Sequence, residues 1–500
     1  MTQTMIGLDY EGVPCLKITK GDIDPGEEPD ANVGSFLYNS KWTKDYKLAG
    51  IDLMPKMGAD TFWPAGANAS SYTKRSLPDT QGWSEETWFR RDHFPGLLYD
   101  FPLCEVKSKR ISNGRFVGSI VSEVLTGYDN RGGRWRTSNA SWFGWGSDLS
   151  VYQTTIANGS QCLNWFTQVG TNEVFNNNLV VWNLPGDNTT IIDGVPQPPV
   201  DGATVIQIDK DGVRVAKPGF DLNNISRPTQ LALDTANSPT KIIGAADIAC
   251  PSGASSYDIG VTIPPNAVAD VFFYQGSTIT FPANPVAPQG IYGSEYWFDG
   301  SLIRFNNAYA SCRARFIIYA TGTDAPTSGD NDVLRQFEVG GQNVVQILRP
   351  GAGDEPNFSD IVIDSRWPCV QILKEGYISV GNGELTHTID FDGTGCFPIV
   401  KWMTVHGAGA NDGVNSWSKR VRAPFINICA NYNVGWNSNV GGNTTYCTLS
   451  ASQAVFRTFR GNPIYRYYKN SADYISNTVT YEYDPSPILG IRYYILGIPA

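Results

Sequence analysis

Apolar and polar residues take turns along YDIGVTIP (257–264), ADVFFYQG (269–276), SLIRFNN (301–307) and TYEYD (480–484), the period-two pattern of half-buried strands. CRARFIIYAT (312–321) and IRYYILGIP (491–499) are more continuously apolar, as strands buried on both faces are. Glycine and asparagine punctuate the runs at DKDG (209–212), VGG (339–341), GNG (381–383) and RGN (460–462), where tolerance of positive φ predicts tight turns. Helical patterning is thin. Ser84 ahead of Glu85 and Glu86 predicts one short capped helix running through Arg91.

The runs recur. IDKDGVRVAKPGFDL (208–222) and FEVGGQNVVQILRPGAGD (337–354) share an apolar run, a glycine turn, a second apolar run, then Lys/Arg-Pro-Gly and an acid. A fainter copy, LDYEGVPCLKITKGDID (8–24), opens the chain, with Leu8, Asp9, Gly12 and Val13 set against Ile208, Asp209, Gly212 and Val213. Downstream, FLYNS (36–40), LALDT (231–235) and IVIDS (361–365) lead into YKLAG (46–50), KIIG (241–244) and VQIL (370–373). One supersecondary plan is used three times. The Pro-Gly pair predicts a corner at which the chain leaves one sheet and crosses to another, because proline ends a hydrogen-bonded ladder. In the first copy Gly21 has no proline before it.

The expected fold is all-β, three tandem β-sandwich modules with long loop insertions, over residues 1–200, 203–325 and 332–500. PGDNTTIIDGVPQPPVDG (185–202) and TGTDAPTSGDND (321–332) read as the linkers. At 500 residues the chain is too long for one core of ordinary size. Its 17% charged and 12% aromatic content, with 51 glycines and 31 prolines, suits many short strands joined by tight turns. A formal net charge of −10 argues against nucleic acid as a partner, since attraction to phosphate rests on many Lys and Arg. No apolar run reaches the roughly 18 to 20 residues of a membrane helix, so no membrane partner is expected. The opening MTQTMIGLDYEG has no basic stretch followed by an apolar run, which predicts synthesis without a leader in the cytosol.

Extra material falls at 54–75, 127–148 and 405–424, and long loops on a rigid scaffold are where contacts concentrate. The second of these holds Arg131, Arg134, Trp135, Arg136, Trp142, Phe143 and Trp145, a candidate surface for a glycan or a protein. Aromatic faces stack on sugar rings and arginine pairs with carboxylates. The same tryptophans would equally serve to close the end of a sandwich core.

Catalytic patterns are weak. His93, His387 and His406 have no metal-ligand rhythm. Asp390 and Asp392 share a strand face by period two, beside His387, but adjacent acids on one edge more often form a solvated or cation-binding patch than a glycosidase pair. There is no GxSxG elbow, Walker loop or GxGxxG turn, and neither cofactor nor metal is expected. Cys15, Cys104, Cys162, Cys250, Cys312, Cys369, Cys396, Cys429 and Cys447 are scattered without a CxxC pair. They read as small buried apolar side chains or, since nine is odd, as thiols that pair within or between chains in an oxidising exterior. Asn139 and Asn443 begin Asn-x-Ser/Thr triplets that mean little without secretion.

VRVAKPGFDL (213–222), ILRPGAG (347–353), the LALDT and IVIDS strands and the ending IRYYILGIPA (491–500) resemble segments of virion structural proteins of tailed bacteriophages that infect alphaproteobacteria. The resemblance touches all three copies through short motifs. It implies a non-enzymatic neck, collar, tail or fibre component, made without a leader in the host cytoplasm. Its expected partners are itself, as a homo-oligomer (trimer or hexamer), and other virion proteins, and its expected location is the virion. A carbohydrate-binding receptor-recognition protein or glycan hydrolase is the alternative, with a host glycan as partner.

Overall fold

The computed structural model is all-β, with thirty-nine strands and a few single turns of 3-10 helix among the described residues. It describes the chain outside residues 1, 45, 54–73, 80–81, 88–93, 111–112, 118–119, 127–133, 139–154, 158–161, 168–174, 210, 237–240, 282–292, 308–309, 322–324, 326, 330–332, 368, 412–414, 425, 432–436, 440–444, 460–463, 470–476 and 483–486. In β5, β6, β9 to β12, β30, β31, β33, β34, β37, β38 and a few further strand positions it describes the backbone alone.

The first third of the chain forms β1 (Gln3–Leu8), β2 (Pro14–Thr19), β3 (Phe36–Asn39), β4 (Leu48–Leu53), β5 (Lys74–Asp79), β6 (Gly82–Thr87), β7 (Pro102–Arg110), β8 (Phe116–Val117), β9 (Ile120–Thr126), β10 (Arg134–Ser138), β11 (Thr155–Ala157), β12 (Cys162–Thr167) and β13 (Phe175–Pro185). The second forms β14 (Ile206–Asp209), β15 (Gly212–Ala216), β16 (Leu231–Asp234), β17 (Lys241–Cys250), β18 (Gly253–Asp258), β19 (Val268–Tyr274), β20 (Ile279–Phe281), β21 (Glu295–Asp299), β22 (Leu302–Asn307) and β23 (Cys312–Ala320). The third forms β24 (Leu334–Val339), β25 (Gln342–Leu348), β26 (Ile361–Asp364), β27 (Gln371–Ser379), β28 (Glu384–Asp390), β29 (Cys396–His406), β30 (Gly409–Asn411), β31 (Asn415–Trp417), β32 (Arg420–Arg422), β33 (Ile426–Asn431), β34 (Asn437–Asn439), β35 (Tyr446–Leu449), β36 (Gln453–Phe459), β37 (Ile464–Lys469), β38 (Asn477–Glu482) and β39 (Ile488–Pro499).

The three repeated motifs become three equivalent sheets, β1-β2-β3, β14-β15-β16 and β24-β25-β26. In each, a hairpin is followed by a loop and a third strand that pairs back onto the second. Each third strand carries a bulge at the same place, on Leu37, Ala232 and Val362. Each ends on an Asn or Asp followed by a hydroxyl residue, and the ending explains the shared sequence. Ser40, Thr235 and Ser365 accept the N–H of Leu16, Val213 and Val345 through their side chains, all at 2.9 Å. Asn39, Asp234 and Asp364 accept the N–H two residues on, which caps the turn. Leu16, Ile18, Val213, Val215, Leu233, Ile347, Val362 and Ile363 pack into one shared core, so the three sheets form a single hub.

Two expectations change here. Leu16, not Val13, is the counterpart of Val213, because the first hairpin turn between Leu8 and Pro14 is longer than the two-residue turn between Asp209 and Gly212. The Pro-Gly corner does not send the chain to another sheet. After Lys217 and Arg349 the strand returns to the sheet it left, and Gly219 and Gly351, like Gly21, take positive φ (84°, 70° and 57°) to begin that loop.

Beyond the hub the threefold pattern continues. The inner sheets are β4-β13-β7, β17-β23-β19 and β27-β39-β29, each with its last strand in the middle and a bulge at the same position, Ala49, Ile243 and Leu373. The outer sheets are β6-β12-β11, β18-β22-β21 and β28-β36-β35. The near-continuous apolar runs of β23 and β39 are the middle strands, covered on both faces. β18 and β28, with polar residues outward, are largely exposed.

The units do not follow one another as separate bodies. A short strand after β7, β19 and β29 crosses into the next unit: β8 pairs with β21, β20 with β35, and β32 with β11, all antiparallel. First gives to second, second to third, third to first, so the ring closes. Sheets therefore span the boundaries near 200 and 330, and one apolar core draws residues from all three units. The helix expected at 84–91 is absent over its first turn. Residues 82–87 are strand β6, held between β5 and β12, because pairing on both edges outweighs the weak capping signal of Ser84.

Protease sites engineered into the 195–202 and 321–326 stretches test the ring. The doubly cut chain is expected to elute as one particle and unfold in one transition. Three separable fragments would contradict the crossed sheets.

Candidate functional site

Glu105, Asp270 and Lys401 hold the same position in three equivalent strands, β7, β19 and β29, where each follows two apolar residues. The ring brings the three together. Lys401 Nζ lies 2.5 Å from Glu105 Oε1 and 2.7 Å from Asp270 Oδ2, and Lys107 Nζ lies 2.7 Å from Asp270 Oδ1 and 3.0 Å from Glu105 Oε1. Tyr319 donates its hydroxyl to Asp270 at 3.0 Å, and Lys401 sits 3.7 Å above the Trp182 ring. Trp182, Tyr319 and Leu496 are again equivalent positions, fully buried beside the charges.

Two acids and two lysines make this cluster neutral. Burial works against ionised Asp270, but Lys107 and Lys401 on either side outweigh it and hold its carboxyl well below the usual range. Burial, then the nearby Asp270 carboxylate, push Glu105 upward. The two carboxyls thus share a site with their affinities for protons driven apart. The cluster is filled by its own side chains and joins three units, which makes it a clasp between them.

A second cluster braces the first hub sheet. Lys17 and Asp9 are both buried, with Nζ 3.0 Å from Asp9 Oδ2 and 2.8 Å from Asp30 Oδ1, while Lys41 reaches Asp9 at 2.8 Å and Glu11 at 2.6 Å. Asp9, Glu11 and Asp30 have the spacing to hold a cation, but the two ammonium groups already stand among them. Against the cost of burial, the bonds from Lys41 and Lys17 hold Asp9 at about 2. The third copy solves the same problem with Gln346 and Arg366 on Asp364.

The recognition candidates singled out from sequence fall largely outside the described residues. Arg134, Trp135 and Arg136 lie on β10, described by backbone alone, and Arg131, Trp142, Phe143 and Trp145 lie outside the described residues. β10 belongs to a four-stranded sheet, β10-β9-β33-β34, in which β9 of the first unit runs parallel to β33 of the third. His93, Asn139 and Asn443 also lie outside the described residues. His406 is buried in β29 with Nε2 2.9 Å from Thr404 Oγ1. Asp390 and Asp392 do not share a strand face as expected: β28 ends at Asp390, which takes a bond from Gln453, while Asp392 turns to accept the N–H of Thr394.

Cys15, Cys104, Cys250, Cys312, Cys396 and Cys447 are free and buried, and Cys369 is free and partly buried. The side chains of Cys162 and Cys429 are outside the described set. Burial pushes Cys15 and Cys369 up to about 12 and Cys396 to about 11. Cys250 and Cys312 face each other across β17 and β23; the hydrogen bond from Cys312 lowers Cys250 and raises Cys312. No helix among the described residues is long and apolar enough to cross a membrane.

No protein-family model matches the chain, and neither the curated proteins nor the solved structures yield a match.

Asp270→Asn is expected to destabilise the protein by about 3 to 5 kcal/mol at neutral pH, measured by urea unfolding, because two lysines stay buried beside one raised carboxyl. Asp270 has a lowered folded value, so its contribution is full above the ordinary carboxylate range and fades as pH falls below about 4. The variant should therefore show a flatter loss of stability on acidification. Thiol titration of the native protein is expected to leave the six buried cysteines unreactive until it unfolds; fast native labelling of Cys104 or Cys447 would contradict their burial.

Proposed function

We propose that the protein is a non-enzymatic structural component of a tailed-phage particle, at the neck, collar, tail or fibre. The observation that carries this reading is the closed exchange of β8, β20 and β32, by which one chain builds a threefold ring. Such a body offers three related faces to neighbours, while its centre is occupied by packed side chains and ion pairs. The sequence resemblance to virion proteins points the same way. Assembly occurs in the host cytoplasm, alongside other virion proteins.

One observation favours a second reading, glycan recognition. Strands of the first and third units in or next to their insertions join in the sheet β10-β9-β33-β34, and the candidate Arg134, Trp135 and Arg136 stand on its edge strand.

Gold labelling of a C-terminal tag on intact particles separates the two, run beside a glycan array of the purified chain. Label at one fixed place on every particle with no glycan signal is the expected result. Chain recovered only free of particles would overturn the structural reading, and glycan binding lost in Trp135→Ala or Trp142→Ala would establish the second.

A further inference from the structure

Among the described residues, ten large apolar side chains stand exposed, and five of them, Leu8, Tyr10, Ile208, Leu334 and Val339, sit on three strands or in the turn that follows one of them. Those strands, β1, β14 and β24, are the equivalent first strands of the three hub sheets, each paired on one side only among the described strands. Leu8 is 66% exposed and Ile208 48%. Edges left open in soluble proteins are usually guarded by lysine, proline or a bulge. β1, with the sequence QTMIGL, has no charge, no proline and a regular register with β2. An open edge with exposed apolar side chains, repeated three times around one hub and free of charge on β1, marks a surface that is covered in use.

We propose that this surface is the contact between two copies of the chain, with β1 lying antiparallel against β1 of the second copy and β14 facing the second copy's β24. Charge selects this arrangement. A twofold axis at β1 sets two uncharged strands together and exchanges β14 with β24, so that Asp209 on one chain meets Arg335 on the other. A twofold at β14 would pair that strand with its own antiparallel copy, leaving Asp209 with no basic residue opposite and Arg335 against the uncharged β1. A twofold at β24 would match Arg335 with Glu338 but leave Asp209 opposite the uncharged β1. Strand pairing across the axis supplies backbone hydrogen bonds to edges that otherwise face water. Two chains then present six units, and the threefold contacts that a homotrimer would make between chains are already made within each one. The inference rests on the reading of the protein as an assembly component, though particle labelling tests that reading separately.

Light scattering and sedimentation equilibrium of the full chain decide the matter. Wild-type protein is expected at twice the chain mass. Leu8→Lys, at an exposed position that leaves the fold's thermal transition unchanged, is expected to weaken association at least about tenfold, roughly 1.4 kcal/mol. Arg335→Glu should weaken it similarly, and Asp209→Lys combined with Arg335→Glu should restore it. A wild-type monomer at the highest soluble concentration overturns the proposal, as does a dimer indifferent to Leu8→Lys. A charge swap that fails to restore association, in a double variant that stays folded, overturns the β14 to β24 pairing.

Discussion

Each unit of this protein completes its outer sheet with a strand that belongs to another. The exposed edges of β21, β35 and β11 would be liabilities in isolated units; here each is capped by β8, β20 or β32 from the unit before. Because the gift is cyclic, no unit keeps a bare edge on that side. The rest of the architecture follows from this exchange: one core in place of three, sheets of seven and eight strands that ignore the repeat boundaries, and a crowded centre where β7, β19 and β29 meet.

That centre shows what a single chain gains over three identical ones. Positions related by threefold symmetry in a homotrimer carry the same residue, so a charged residue there would meet two copies of itself. Here the related positions carry Glu105, Asp270 and Lys401, and Lys107 supplies the second positive charge. Opposite signs in a poorly solvated place attract strongly, while removal of any one leaves an uncompensated charge. Divergence among the copies therefore stabilises the centre, and it also shows in the sheet β10-β9-β33-β34, to which only the first and third units contribute.

Much of the fold was legible in the sequence because repetition survives where geometry is strict. FLYNS, LALDT and IVIDS were matched correctly since a bulge, a capping Asn or Asp and a hydroxyl are needed at fixed offsets. The opening hairpin was misaligned by three residues because turn length is free to drift. The ring was illegible: strands as short as Phe116–Val117 carry no periodic signal, and pairing between units leaves no local trace. The central charges left a trace that was missed, a lone Glu, Asp or Lys third in an apolar run at the same place in each repeat. The loop chosen for recognition rested on composition, and its side chains lie outside the described set.

The three joints are not alike. β8 pairs back onto β7 and β32 onto β29, so two joints are unbroken sheet, whereas β20 makes no ladder with β19 and the sheets on either side of it remain separate. A closed band with two welded seams and one lapped seam yields at the lap. Thermal agitation or a pulling force opens the circle between the second and third units first, turning a hoop into a curved strip with both of its other joins intact.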